Sequence, residues 1–193
     1  MLTTLASLKK RLGIEPFDLK DDAALTLVIK ALAGRFEKET NRIFGRTVNA
    51  AEQFSADQME IIARLYPIEE VTSFHLKTSE REGWVLQQNY DFLIRHDCII
   101  SLVAPLGSQR QLAKVTYTGG YVLPGTVAQP GQTPLPADLE QATIEQAAYW
   151  YQNKDRLGIV SLSGEGGSIQ QFSQLDLLPN VKAVLKKHER YVC

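Results

Sequence analysis

The sequence predicts an α+β protein: a helical bundle of three main helices with a small antiparallel β-domain, followed by a C-terminal arm and helix. Three observations predict it. Apolar residues recur at helical spacing in two stretches that flank the middle of the chain. Between them lie short alternating or apolar runs broken by Gly, Pro and charged turns, a spacing that argues hairpins rather than parallel crossovers. The 193 residues are 44% hydrophobic and 22% charged, ordinary for a globular chain and enough to bury a core.

The first helix is expected over 4–12, with Thr3 or Thr4 as cap, Leu5, Leu8 and Leu12 on one face and Gly13 as stop. A linker follows, and Asp21 or Asp22 opens the second helix, expected over 22–44. Leu25, Val28, Ile29, Leu32 and Phe36 make its apolar stripe. Its charged outer face, with Lys30, Arg35, Glu37, Lys38, Glu39 and Arg42, reads as a solvated surface.

The β-region spans 46–118. DQMEIIAR has the propensity for a helical turn, but its place between Phe54 and YPIEEV favours strand. Further strands are expected at Val71–Lys77, Trp84–Leu86, Tyr90–Arg95, Cys98–Val103 and Lys114–Thr118. In the last, Val115 and Tyr117 face one way and Lys114, Thr116 and Thr118 the other. Gly119-Gly120 breaks it, and a loop with Pro124, Pro130, Pro134 and Pro136 leads to a third helix over 137–156. Leu139, Ala142, Thr143, Ala147, Trp150 and Tyr151 line its wide face, which marks a core helix; Glu140, Gln141, Glu145 and Gln152 form its narrow polar strip.

Residues 1–157 read as one domain. Residues 158–193 read as a flexible Gly/Ser-rich arm and a separate C-terminal helix that begins at Pro179. The expected stripe of that helix, Val181, Val184, Leu185, His188 and Val192, needs cover, and the long connection argues for cover outside its own bundle.

Little in the chain suggests chemistry. Net charge is −1, which gives no overall case for gripping nucleic acid or membrane. No apolar run suits a membrane span, and no signal peptide is read at the start. Cys98 and Cys193 suit neither a structural disulfide nor a zinc site, and a reducing cytoplasm fits them. His96-Asp97-Cys98 holds the residue types of a cysteine nucleophile, but neighbours on a strand diverge. His75, His96 and His188 lie on different elements without ligand spacing. SGEGGS lacks the lysine of a phosphate loop, and its glutamate would repel phosphate. No catalytic, cofactor-binding or metal-ligating residue is therefore expected. Tyr149, Trp150 and Tyr151 read as core, and Lys182, Lys186, Lys187 and Arg190, opposed by Glu189, make a weak footprint for phosphates.

Three stretches, in order, carry a resemblance. VTYTGGY with its Pro-rich loop and PADLEQATIEQAAYWYQNKDRLG, the helical pair LKKRLGIE and DDAALTLVIKALAGRFEKETNRIF, and YPIEEVTSFHL resemble the head-to-tail connector (adaptor, or head completion) proteins of long-tailed double-stranded DNA phages. The resemblance covers most of the chain up to about Gly158. It implies a structural virion protein, made in the host cytoplasm, that forms a ring beneath the portal, a dodecamer in the family. Such a ring joins the DNA-filled head to the tail and passes DNA without binding it specifically. Its implied partners are the portal protein, a next connector or tail-terminator protein, and further copies of itself. The residues expected to meet a partner are Val181, Lys182, Val184, Leu185, Lys186, His188 and Val192. The rival expectations are a small hydrolase-like enzyme with a site in the β-region, or a monomeric tail completion factor.

Overall fold

A computed structural model describes residues 1–154, 161–163, 169–171 and 176–190. The chain divides into two compact units: Met1–Glu39 with Pro136–His188, and Thr40–Leu135 with Glu189–Cys193. The class is α+β with antiparallel sheets, as the sequence predicts. The division is not. In place of a boundary at 157/158 the chain crosses between the units three times, after Glu39, Leu135 and His188, and the C-terminal helix belongs to the helical unit.

The first unit contains α1 (Leu5–Leu12), α2 (Asp22–Thr40), α3 (Ala137–Gln152) and α4 (Pro179–Lys187). Thr4 caps α1 by accepting from the Ser7 amide at 3.1 Å, and Gly13 ends it in the left-handed region at φ 70°. Lys9, although buried, is held by Asp22 at 2.6 Å and by the Pro16 carbonyl at 3.1 Å. The buried stripe of α2 is Leu25, Ile29, Leu32 and Phe36. Its helix stops at Thr40, four residues before the expected end. Asn41 takes φ 51°, a left-handed stop, and Ile43 instead bridges to Leu65. The core helix α3 packs against α1 and against α4. Its last expected turn lies partly at 155–156, outside the described residues.

The second unit holds two antiparallel sheets. One has the order β1-β7-β3-β4, made of Thr47–Ser55, Leu112–Gly119, Ile68–Lys77 and Val85–Gln87; the other has the order β2-β6-β5, made of Glu60–Ile62, Ile99–Leu102 and Phe92–Arg95. Within DQMEIIAR, Glu60–Ile62 is strand, as favoured, and it places Ile61 in the core opposite Ile100. The two sheets share that core: Phe54, Phe74, Val115 and Tyr117 come from the first, and Ile61, Ile100 and Leu102 from the second. Val115 and Tyr117 both face inward, as alternation requires. His96-Asp97 is not a strand end. Both residues have positive φ, 51° and 57°, and Cys98 donates its amide to Arg95, which makes a two-residue hairpin turn between β5 and β6.

Both neighbours of the central strand β7 carry extra residues beside it. β1 shifts register between Thr47 and Ala50, and β3 shifts between Ile68 and Glu70 and again between Val71 and Ser73. At the second shift in β3 Thr72 is exposed while Phe74 is buried. The Thr72 hydroxyl donates to Asn49 at 3.2 Å.

In the segment read as an arm, Ser161–Ser163 (β8) and Ile169–Gln171 (β9) form a two-stranded antiparallel ribbon. The remainder of 155–175 lies outside the described residues.

β7 ends on Gly119-Gly120 for a steric reason. A Cβ on Gly119 would lie 2.6 Å from the Pro67 carbonyl oxygen, and one on Gly120 would lie 2.9 Å from that of Gly45. Gly120 also has φ 92°. Gly120→Ala is expected to cost about 1–3 kcal/mol in denaturant unfolding. Gly34→Ala in mid-α2, where an added methyl meets nothing within 4 Å, should instead gain up to about 1 kcal/mol. Similar effects at the two positions would contradict the steric account.

Candidate functional site: surfaces for assembly

The residues expected to meet a partner were read as one stripe, and the fold divides them. Val181 and Leu185 are buried within the helical unit, Val184 and His188 are partly covered, and Lys182 and Lys186 are exposed. Val192 lies outside the described residues. The helix is anchored to α3 along its length. Gln146, fully buried, accepts the Leu178 amide at 2.7 Å and donates to the Asp176 carbonyl at 3.2 Å. Asn180 donates to Glu145 at 2.5 Å, and His188 pairs with Asp138 at 3.1 Å. Lys182 and Arg35 both approach Asp176, at 2.6 and 3.4 Å.

The expectation of a separate docking helix is therefore corrected: its apolar stripe is covered by its own unit. The signal that the sequence reading missed is Gln146, a polar residue on the wide face of α3. A buried amide there needs two partners, and the backbone that leads into α4 supplies them.

Charges in this unit follow the same contacts. Burial raises the Asp138 carboxyl, but the His188 hydrogen bond and charge, with two backbone amides, outweigh it and hold the carboxyl below its ordinary value. The Tyr151 hydroxyl donates to Asp21 at 2.6 Å. That bond first, then burial and the Asp21 charge, push Tyr151 up to about 12.

In the β-unit, Glu52 is the junction of a polar network. It accepts from the Tyr117 hydroxyl at 2.8 Å, the Arg64 amide at 3.0 Å and Arg190 at 3.2 Å. Arg190 also donates to the Ile62 carbonyl, and its amide donates to the Thr40 carbonyl. Burial, then the Glu52 charge, push Tyr117 far above its ordinary value. This network is structural: Tyr117 and Glu52 hold each other, and Arg190 pins the segment after α4.

Two surface features of this unit are uncharged. The first is a groove of about 400 Å³ beside the outer edge of β3. β4 pairs with β3 only at Phe74–Leu76, so the edge at Val71–Ser73 is left open. Phe74, Tyr90 and Phe92 floor the groove, with ring centroids 5.8 and 5.5 Å from that of Phe74. Thr72, Ser73, Gln87, Gln88 and Asn89 rim it. Tyr90 is the one titratable group in its lining, and its hydroxyl is bonded to the Ala104 carbonyl. No Asp, Glu, His, Lys, Arg or Cys lines this groove.

The second feature is the loop Leu123–Leu135, which has no charged residue. Its base is tied by the Val122 amide to Thr133 at 2.8 Å and the Leu135 amide to Val122 at 3.0 Å. Within it, Leu123-Pro124-Gly125-Thr126 and Gln129-Pro130-Gly131-Gln132 form matching turns. Each has Pro second and Gly third at φ 92° or 86°, and each closes by an amide-to-carbonyl bond, at 3.3 and 3.0 Å. These are type II turns. Val127 and Ala128 stand between them, and Val127 is 90% exposed. The sequence signal was the twice-used Pro-Gly.

Among the described residues no group of three His, Cys, Asp or Glu side chains could hold a metal ion, and no helix is long and apolar enough to cross a membrane. These features define an α+β protein whose β-unit presents an uncharged groove and an uncharged, turn-braced loop.

The sequence matches the family model of head completion proteins over residues 1–191, and the chain belongs to that family. It is thus a structural protein of the phage-type virion at the head–tail junction. No curated protein matches the sequence. Among the solved structures that share the fold are three that each cover 100% of this chain and 91% of their own. They are a chain in the neck of an empty gene transfer agent particle computed with C6 symmetry, at 15% identity and TM-score 0.60; one in the virion of the native particle, at 17% and 0.58; and one in the native neck computed with C12 symmetry, at 17% and 0.56.

Two outcomes test the anchoring of α4. Gln146→Leu keeps the volume but strands the Leu178 amide and Asp176 carbonyl, and it should cost about 1–3 kcal/mol in urea unfolding, with faster amide exchange in α4. No change in either would show that α4 is held without Gln146. Because the Asp138 carboxyl is depressed on folding, its contribution is complete above the ordinary value of 3.8 and is lost as pH falls through the lower folded value. Asp138→Asn should therefore flatten the acid side of the stability–pH curve. An acid limb identical to that of the unaltered protein would contradict the assignment.

Proposed function

We propose that the chain assembles as a ring of identical copies between the portal and the next connector or tail-terminator protein. The ring extends the channel through which DNA passes, and we propose twelve copies. The observation that carries the reading is the family match over nearly the whole chain. The likeness to chains from necks computed with C6 and C12 symmetry supports a rotationally repeated assembly.

The near-neutral charge suits a conduit that must let DNA slide, since gripping phosphates needs clustered cations. The role is non-catalytic. The exposed basic face of α4, with Lys182 and Lys186, is the surface we assign to a partner outside the ring, and an acidic patch is its complement. Val181 and Leu185 act only by holding that face in place. Packing of α1, α2 and α3 as one bundle gives the face a rigid base.

The reading is tested by deleting the gene from a producing phage. The expected result is DNA-filled heads and free tails that fail to join, with joining restored when the protein is supplied separately. Tailed particles at normal yield without it would refute the joining role.

A further inference from the structure

Val127 is the most exposed large apolar residue of the described chain, and it is not on a loose tip. Two type II turns and a tied base fix the backbone on either side of it. A soluble surface gains nothing from an ordered, bare valine, and order lowers the entropy lost when such a residue is buried against a partner. The loop is also without charge over thirteen residues, Leu123–Leu135, in a chain where 22% of residues are charged. Its complement must therefore be uncharged and partly apolar.

The same unit carries such a complement. The groove beside β3 has no charged residue in its lining, an aromatic floor and an amide and hydroxyl rim. It also runs along Val71–Ser73, where β4 does not cover the strand edge. An open edge offers main-chain donors and acceptors to a passing segment, and the stretch at Val127-Ala128 between the turns belongs to no helix or strand of its own.

We propose that the loop of one copy is the key for the groove of the next: Val127 enters between Thr72–Ser73 and the Phe74–Tyr90–Phe92 floor of a second copy, with its flanking main chain laid along the β3 edge. This rests on the ring reading above and names the contact that makes it. A ring needs a head-to-tail contact between two different patches of the same chain, and the loop and the groove are two such patches. A volume of about 400 Å³ accommodates a valine side chain and its flanking backbone. A second copy is the favoured occupant because it presents the uncharged, preformed segment that this groove fits.

Two variants test the proposal in assembled particles. Val127→Asp alters a solvent-facing side chain, so the protein should fold with an unchanged melting curve while infectious, tailed particles fall more than about tenfold. The double variant Ser73→Cys with Val127→Cys should give, after mild oxidation of purified particles, a ladder of covalent multimers on a non-reducing gel. Neither single variant should do so, which controls for Cys98 and Cys193. If the chain is present in the neck as a ring but the double variant gives no ladder, or if Val127→Asp assembles like the unaltered protein, the key-and-groove contact is overturned while the ring stands. Covalent dimers and nothing larger would show a two-fold contact and overturn it as well. A particle neck without a ring of this chain would sink the ring reading itself, and this inference with it.

Discussion

The structure of the β-unit depends on the absence of two side chains. β7 is the middle of its sheet, and where it ends, at Gly119-Gly120, the backbones of Gly45–Arg46 and Leu65–Ile68 pass within contact distance. Gly120 donates to Pro67 at 2.8 Å, Tyr121 to Phe44 at 2.8 Å, and Arg46 to Tyr121 at 2.9 Å. Three strands of chain are thus knitted through main-chain bonds that any Cβ would force apart. Beside this knot Arg42 is buried. It donates to the Tyr66 carbonyl at 2.6 Å, and its guanidinium lies 3.4, 4.9 and 5.2 Å from the ring centroids of Tyr66, Phe44 and Tyr121. A desolvated cation is tolerable there because three ring faces attract it. The loop that carries Val127 leaves from Tyr121 and Val122, so the knot and the caged arginine set where that loop starts.

The helical unit is organised differently. Its polar groups satisfy one another in pairs: Lys9 with Asp22, Tyr151 with Asp21, His188 with Asp138, and Gln146 with the entry to α4. Each pair ties one helix to another, and the cost of burying a polar group is offset by a fixed partner. The result is a short terminal helix, marginal by itself, that is fastened at both ends and presents its lysines outward.

Much of this was legible in the sequence, and the failures have physical causes. Period and punctuation gave the helices, because α1 and α3 carry wide apolar faces between clear stops. Alternation placed Val115 and Tyr117 in the core. The end of α2 was misjudged because Asn41, unlike Gly, announces a left-handed stop only weakly. The separate docking helix was inferred from loop length. Chain entropy grows slowly with length, so a long connection is no barrier to folding back, and one buried glutamine outweighed the length argument. The turn at His96-Asp97 is not announced by the sequence, because it uses positive φ at two non-glycine residues. The groove beside β3 could not be read at all, since it arises from a bulge and a short neighbouring strand. The Pro-Gly pairs that frame Val127 were legible but went unused.

In the proposed ring each copy is a wall segment, with rigid main-chain knots inside it and uncharged, preshaped surface toward its neighbours. Family membership gives its station in the virion. The most direct measurement is an electron cryomicroscopy reconstruction of the particle's neck made without imposed symmetry. The account predicts a closed ring at the head–tail joint, with this fold repeated at equal rotations around an open DNA channel. A single copy, an asymmetric cluster or a plugged lumen at that position would contradict it.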